Sequence, residues 1–228
     1  MKEAIIIFTR VPIKGRTKTR LQKCLSPKQC AMIHGSFIKD IYKTCKETKR
    51  DIFIFYTPKR YKHKLVELIG ENDEYQVQVG EDLGEKMLDA IETVLSKGYY
   101  SCILLGTDVP GLKATYILNA FKALERSDVV LGPTFDKGYY LVGMKKPYKN
   151  VFSNQFYGTG DVLSNTISKI KEENLSYELV DTCLDIDEEE DLKALKEGIE
   201  KGEITNCYCT IEFLKSLDKG EKGGTKYA

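Results

Sequence analysis

The chain is expected to fold as an α/β protein with a Rossmann-like, mostly parallel sheet and helices on both faces. Three observations predict this. Apolar runs rich in β-branched residues alternate with amphipathic stretches almost throughout. The first run, residues 4–9, is continuously apolar, as a strand buried on both faces requires. The polar clusters with chemical potential fall just after such runs, where open α/β sheets bind ligands.

After the strand at 4–9, residues 10–25 form a basic, glycine-containing loop. Ser26-Pro27-Lys28-Gln29 reads as a helix start, with Ser26 capping, Pro27 in the first turn and Gln29 closing a capping box. Ile33, Phe37, Ile41 and Cys45 continue that helix at i, i+4 spacing. Residues 51–57 are a second strand, and Pro58 opens a shorter helix carrying Leu65, Leu68 and Ile69. Tyr75, Val77 and Val79 alternate like a strand. Asp82-Leu83-Gly84-Glu85 starts another helix, with Met87, Leu88, Ile91, Val94 and Leu95 behind it. Residues 100–105 form a strand ending at Gly106, and 113–126 a helix. Residues 128–131 and 139–144 are strands around a Gly132-Pro133 turn. A helix at 161–173, a strand at 175–180 and a helix at 188–201 follow. No repeat or linker divides the chain, so one domain over 1–217 is expected, with a mobile Lys- and Gly-rich tail over 218–228.

Composition narrows the function. The 228 residues include 35 Lys+Arg and 34 Asp+Glu, a formal net charge of +1. So even a balance argues against a nucleic-acid-coating role, which needs surplus basic charge. No apolar run approaches the roughly 20 residues that span a bilayer. The seven cysteines lack a CxxC pair, so neither a disulfide framework nor a zinc site is indicated, and a reducing cytoplasmic compartment is expected. His34 and His63 fall on predicted helices without a nucleophile partner, which leaves a hydrolase triad without support.

Three clusters could carry chemistry. Five cations, Arg10, Lys14, Arg16, Lys18 and Arg20, lie within eleven positions around Gly15. A phosphate chain needs such convergent charge-assisted donors, although a solvated basic loop has the same composition. The segment is not a Walker loop, lacking G-x-x-x-x-G-K-[ST]. Asp108, in Leu105-Gly106-Thr107-Asp108-Val109-Pro110, ends a hydrophobic strand, where a carboxylate can hold Mg2+ or Mn2+ against substrate phosphates or can simply cap a turn. Asp185 and Asp187, one residue apart on an extended segment, point to the same side and could supply further metal ligands. They could equally belong to the acidic start of the next helix, which is the expected role of the four residues from Glu188 to Asp191. A fourth stretch, from Gly132 to Tyr140, looks like a constrained loop at the sheet edge, with Tyr139 and Tyr140 possible core residues.

The blocks FTRVPIKGRTKTRL, QVGEDLGEKM, LLGTDVPGL, GPTFDKGYYLVGM and LDIDEEEDL occur in the order seen in a family of glycosyltransferase-A-like proteins. Members are often described as glycosyltransferases, some linked to arsenosugar synthesis. The family is similar to 2-phospho-L-lactate guanylyltransferase and, more distantly, to molybdenum cofactor guanylyltransferase. The resemblance covers roughly residues 1–215. It implies a nucleotide-diphospho-sugar transferase fold and a metal-dependent transferase using a nucleotide or nucleotide sugar and a small-molecule acceptor, with Mg2+ or Mn2+ as cofactor. It implies catalytic roles for Asp108, Lys18 and Asp187, with metal on Asp108, Asp187 and Asp185. Nucleotide contacts would come from Arg10, Lys14, Gly15, Lys18, Arg20, Gln78, Gly80, Gly84 and Thr107. Acceptor contacts would come from Asp136, Lys137, Gly138 and Thr159. Lys137 departs from the family's usual Asp-Gly-Gly-Tyr-Tyr, and Phe156-Tyr157-Gly158-Thr159 departs from its Trp-Ser-Thr. Glycosyl transfer is the first expectation and guanylyltransferase-like nucleotidyl transfer the second. A non-catalytic nucleotide-binding protein on the same fold is the alternative from another class.

Overall fold

The computed structural model describes residues 2–153, 155, 157 and 161–223, with side chains up to residue 217. Its strands are β1 (Glu3–Arg10), β2 (Asp51–Thr57), β3 (Glu74–Val77), β4 (Ser101–Gly106), β5 (Val129–Pro133), β6 (Tyr139–Met144) and β7 (Tyr177–Leu179). Its helices are α1 (Pro27–Glu47), α2 (Lys62–Ile69), α3 (Leu83–Leu95), α4 (Ala114–Leu124), α5 (Lys149–Phe152), α6 (Val162–Glu172), α7 (Glu189–Glu200) and α8 (Tyr208–Gly223). The seven strands form one sheet in the order β3-β2-β1-β4-β6-β5-β7. β1 pairs in parallel with both β2 and β4, and β6 runs antiparallel to its neighbours β4 and β5.

Side-chain alternation divides the core between the two faces of the sheet. Ile5, Ile7, Ile54, Ile103 and Leu105 pack toward α1, α2 and α4. Ala4, Ile6, Phe53, Phe55 and Leu104 face α3, α5 and α6. A strand buried on both faces must be apolar at every position, which accounts for the unbroken run in β1. A third cluster brings Leu21, the start of α1, Ile186, α7 and α8 together around Phe37.

The helix starts form by the expected local chemistry. Ser26 Oγ accepts from the Gln29 amide at 3.3 Å while the Ser26 amide donates to Gln29 Oε1 at 2.8 Å. Asp82 accepts from the Glu85 amide at 2.8 Å. Asp191 accepts from the Glu188 amide at 2.7 Å, so the acidic run does open α7.

Several elements differ from the sequence reading. α5 and a 3-10 turn at Thr19–Lys23 form where no helix was expected, and Gly132-Pro133, expected as a turn, is the paired end of β5. β3 stops at Val77, and Val79 is exposed, because β2 ends at Thr57 and offers no further partner. The edge strand β7 spans only three residues and pairs with β5 alone. Residues 59–61 form a 3-10 turn before α2. α8 is a further helix where none was expected, and it runs through Asp218 to Gly223 where a tail was expected to begin. Its start is held by Asp40 of α1, which is 1% exposed and accepts from the Cys209 amide (2.8 Å), the Thr210 amide (2.8 Å) and the Thr210 hydroxyl (2.6 Å). Residues 224–228 lie outside the described residues.

Candidate active site

The strand order reverses between β1 and β4, which lie side by side although β2 and β3 intervene in the chain. Crevices at such switch points, beyond the carboxyl ends of the strands, are where ligands bind in open α/β sheets. A cleft of about 760 Å³ opens there, lined by residues following β1, β3, β4 and β5 and by the 185–187 segment.

Lys18 is its centre. Its backbone is left-handed, at φ 50°. Its side chain, 5% exposed, puts Nζ 2.7 Å from Asp108 Oδ1, 2.7 Å from Asp187 Oδ1 and 2.6 Å from the Ile186 carbonyl. The Ile186 amide in turn donates to the Asp108 carbonyl at 2.8 Å. Three segments remote in sequence are thus tied at one nitrogen. Burial disfavours the ammonium, but the two carboxylates outweigh it and the net shift of Lys18 is upward. Burial likewise opposes ionisation of Asp108, yet Lys18, His34 and Arg10 hold its carboxyl below the ordinary carboxylate value.

Arg10, Arg16 and Arg20 join Lys18 on the cleft wall, and Arg20 Nη1 lies 3.6 Å from Glu188. Lys14 and Gly15 do not: they are exposed and do not line the cleft, although Arg16 beside them does. Gln78 lines the cleft, and its amide nitrogen bridges the Thr9 and Phe55 carbonyls at 3.0 and 3.1 Å, stapling β1 to β2. Gly80 and Gly84 lie behind the wall. A Cβ on Gly80 would meet the Lys86 nitrogen at 2.8 Å, and one on Gly84 would meet the Phe152 carbonyl at 2.6 Å, so both serve close backbone approach.

Asp136 and Gly138 also line the cleft. Asp136 Oδ1 accepts from Thr134 Oγ1 (2.5 Å) and from the Gly138 amide (2.9 Å), which shapes the loop. Lys137 is exposed and does not line the cleft; its φ is 69°. That left-handed backbone gives the physical reason for a glycine at this position in the pattern the sequence resembles. Thr159 lies outside the described residues. Asp185 also lines the cleft, and burial, with Asp136 and Asp187 nearby, pushes its carboxyl up to about 7. Tyr140 is buried and donates its hydroxyl to the Asp181 carbonyl at 3.1 Å, and both it and Tyr139 line the cleft.

His34 is the residue that sequence reasoning missed. It projects from α1 to the cleft floor, 4% exposed. Thr9 Oγ1 donates to the Arg10 carbonyl (3.1 Å) and lies 3.0 Å from Thr107 Oγ1, which lies 3.4 Å from His34 Nε2. With the Thr9 proton committed, Thr107 donates to Thr9 and His34 donates from Nε2 to Thr107. Nδ1 is left buried without a partner among the described residues. Burial pushes the imidazole down to about 4. The available signal was spacing: His34 follows Cys30 by four and precedes Ile38 by four, on the buried face of α1.

Asp108 and Asp187 are 43% and 42% exposed, and each gives one oxygen to Lys18. Sharing one nitrogen at 2.7 Å, those oxygens are no further apart than twice that distance. Such a pair, open to the cleft, suits a hard cation that takes one or two protein carboxylates and completes its shell with phosphate and water. Among the described residues no group of three His, Cys, Asp or Glu side chains forms a ready-made metal cage.

The fold and this cleft define a class: α/β proteins with the architecture of nucleotide-diphospho-sugar transferases and nucleotidyltransferases. The chain is similar over 96% of its length, with 27% identity and a TM-score of 0.86, to a Desulfovibrio desulfuricans protein provisionally described as a nucleotide-diphospho-sugar transferase, of which 98% is covered. A nucleotidyl transferase from Methanothermobacter shares the fold at 11% identity and a TM-score of 0.62, over 88% of this chain and 99% of that one. So does a cytidylyltransferase from Leptospira borgpetersenii, at 15% identity and a TM-score of 0.57, over 100% and 98%. The chain belongs to the family described as an uncharacterized protein conserved in bacteria (DUF2064), whose model matches residues 41–159. A comparison with curated proteins finds no match. Among the described residues no helix is long and apolar enough to cross a membrane.

Proposed function

We propose that the protein is a metal-dependent transferase acting from a nucleotide-activated donor, and that the donor is a nucleotide sugar. One observation carries this reading: Asp108, Asp187 and Lys18 converge within ion-pair distance in a cleft whose wall also carries Arg10, Arg16 and Arg20. Acidic and basic groups side by side match a diphosphate held with a divalent ion. The 27% identity to the Desulfovibrio protein, over nearly the whole of both chains, supports the sugar donor.

In this reading Lys18 and the arginines hold the donor diphosphate, and Asp108 and Asp187 would hold Mg2+ or Mn2+, which when bound would supply Lewis-acid neutralisation of the leaving group's charge. The bond from the anomeric carbon to the departing phosphate oxygen breaks, and the electron pair leaves with the nucleoside diphosphate. The acceptor hydroxyl oxygen bonds to the same carbon and releases its proton to solvent in the open cleft. The acceptor enters between Asp136, Gly138 and Asp185. Catalysis is mainly positioning and preorganised charge.

A second reading, nucleotidyl transfer from a nucleoside triphosphate to a phosphorylated acceptor, is favoured by the four cations that one short segment brings to the cleft. A thermal-denaturation panel of sugar nucleotides and nucleoside triphosphates, each with and without Mn2+, separates the two. A ligand binding only the folded state stabilises it by about 2.7 kcal/mol at a hundredfold over its dissociation constant. Metal-dependent stabilisation by one sugar nucleotide is the expected result. Stabilisation by triphosphates alone selects the second reading, and no response to any donor defeats both.

A further inference from the structure

The two carboxylates best placed to take a metal are already occupied by a cation of the protein's own. Lys18 Nζ sits 2.7 Å from an oxygen of each, and a third contact, 2.6 Å to the Ile186 carbonyl, fixes it there. With 5% of its side chain exposed, Lys18 is not a mobile surface lysine that happens to fall near an acid. Its backbone is left-handed, a conformation that non-glycine residues adopt only when the surroundings hold them in it. Asp108 and Asp187, by contrast, are nearly half exposed to the cleft. A divalent ion arriving at them by itself would meet an ammonium at hydrogen-bond distance from both its ligands, and like charges that close repel strongly.

A diphosphate changes the balance. It brings several anionic oxygens to the same cleft, and an ammonium is a compact, three-donor cation on a flexible four-carbon stem, able to turn from carboxylate to phosphate. Resting on the reading above, we propose that Lys18 is a displaceable counter-ion: it blocks the Asp108–Asp187 pair in the free protein and releases it when donor phosphate draws the ammonium away. Metal and donor then bind interdependently. Because such coupling is reciprocal, each raises the affinity for the other by the same factor. The protein is thereby guarded against holding a metal with no donor, and the carboxylates are neutralised until they are needed.

The test measures Mn2+ binding in the absence of any nucleotide, by calorimetry or by the loss of the free-ion electron paramagnetic resonance signal. Wild type is compared with Lys18→Met and with Lys18→Gln, the second serving if the first does not fold. Arg10→Met is the control. Arg10 bears on the charge of Asp108 but forms no ion pair within 4.0 Å among the described residues. If Lys18 blocks the pair, its removal tightens Mn2+ binding at least tenfold while Arg10→Met changes it much less. Equal gains in both would mean a diffuse field effect and would overturn the proposal. Unchanged Mn2+ affinity in the Lys18 variants, with wild type binding the ion well by itself, would also overturn it, and would leave the transferase reading standing. No Mn2+ binding by any form, together with a negative donor panel, would remove both.

Discussion

Asp108 and His34 belong to the same corner of the cleft yet ask for different experiments. Asp108 is held ionised by Lys18 against the cost of burial, so its replacement should be felt in chemistry first. Asp108→Asn is expected to lower metal-dependent turnover by roughly a hundredfold or more, the scale of a lost preorganised charge, with an unchanged far-ultraviolet circular dichroism spectrum. His34 is neutral and buried, with its pKa pushed down from 6.5 to about 4. The unfolded chain therefore binds a proton that the folded chain refuses between those values. The sign is fixed: stability is present above pH 6.5 and is lost as the pH falls toward 4, by on the order of 3 kcal/mol at most. Urea denaturation of His34→Gln at pH 7 and at pH 4.5 should show a smaller difference between the two pH values than wild type does. Lys137 makes a third case. Its left-handed backbone and lack of cleft contact indicate that Lys137→Gly will raise stability, or leave it unchanged, by about 0–1 kcal/mol in the same denaturation experiment.

At the scale of elements, capping and close packing decide more than propensity. Ser26, Asp82 and Asp191 each satisfy helix-start amides from within their own segment, so the starts of α1, α3 and α7 were legible from four or five residues of sequence. The start of α8 was not, because its cap is Asp40, 169 positions away from Cys209. A periodic signal was present all the same: Ile211, Leu214 and Leu217 repeat every third residue and pack on the third core cluster. Asp40→Ala leaves three donors at the start of α8 without their partner. Unsatisfied buried donors cost about 1–3 kcal/mol each when water cannot replace the partner. Amide hydrogen exchange should therefore speed selectively over residues 208–217, ahead of the sheet. Uniform acceleration through β1 and β4 would show instead that α8 and the sheet open as one unit.

For the whole molecule, the sheet order places the carboxyl ends of β1 and β4 together, and the chain leaves β7 and runs along 180–187 past the end of β5 to Asp108 at the cleft. The Val180 amide donates to Leu131, the Cys183 amide to Pro133 and the Ile186 amide to Asp108, so this return segment is laced to the sheet edge one step at a time. That lacing delivers Asp187 to Lys18. Charge is concentrated there although the chain as a whole is close to neutral. Donor affinity should accordingly fall between 50 and 500 mM salt, roughly the range over which the Debye length shrinks from above 10 Å to below 5 Å, measured as the loss of donor-induced thermal stabilisation.

The sequence by itself determined the alternation of strands and helices, the fully buried β1, the helix starts with local caps and the basic character of the segment after β1. Each of these is written in neighbouring residues, through periodicity, capping spacing or charge. Only the tertiary structure decided which cations face the cleft. Lys14 and Lys18 are equivalent in composition, but Lys14 is exposed outside the cleft while the side chain of Lys18 is buried against Asp108 and Asp187. It likewise decided that Asp108 pairs with Lys18 rather than merely capping a turn, and that His34 lines the same cleft. These outcomes depend on distances between segments as much as 169 positions apart, such as Lys18 and Asp187. Such distances follow from the packing of a whole sheet and its helices, which no local window of residues encodes.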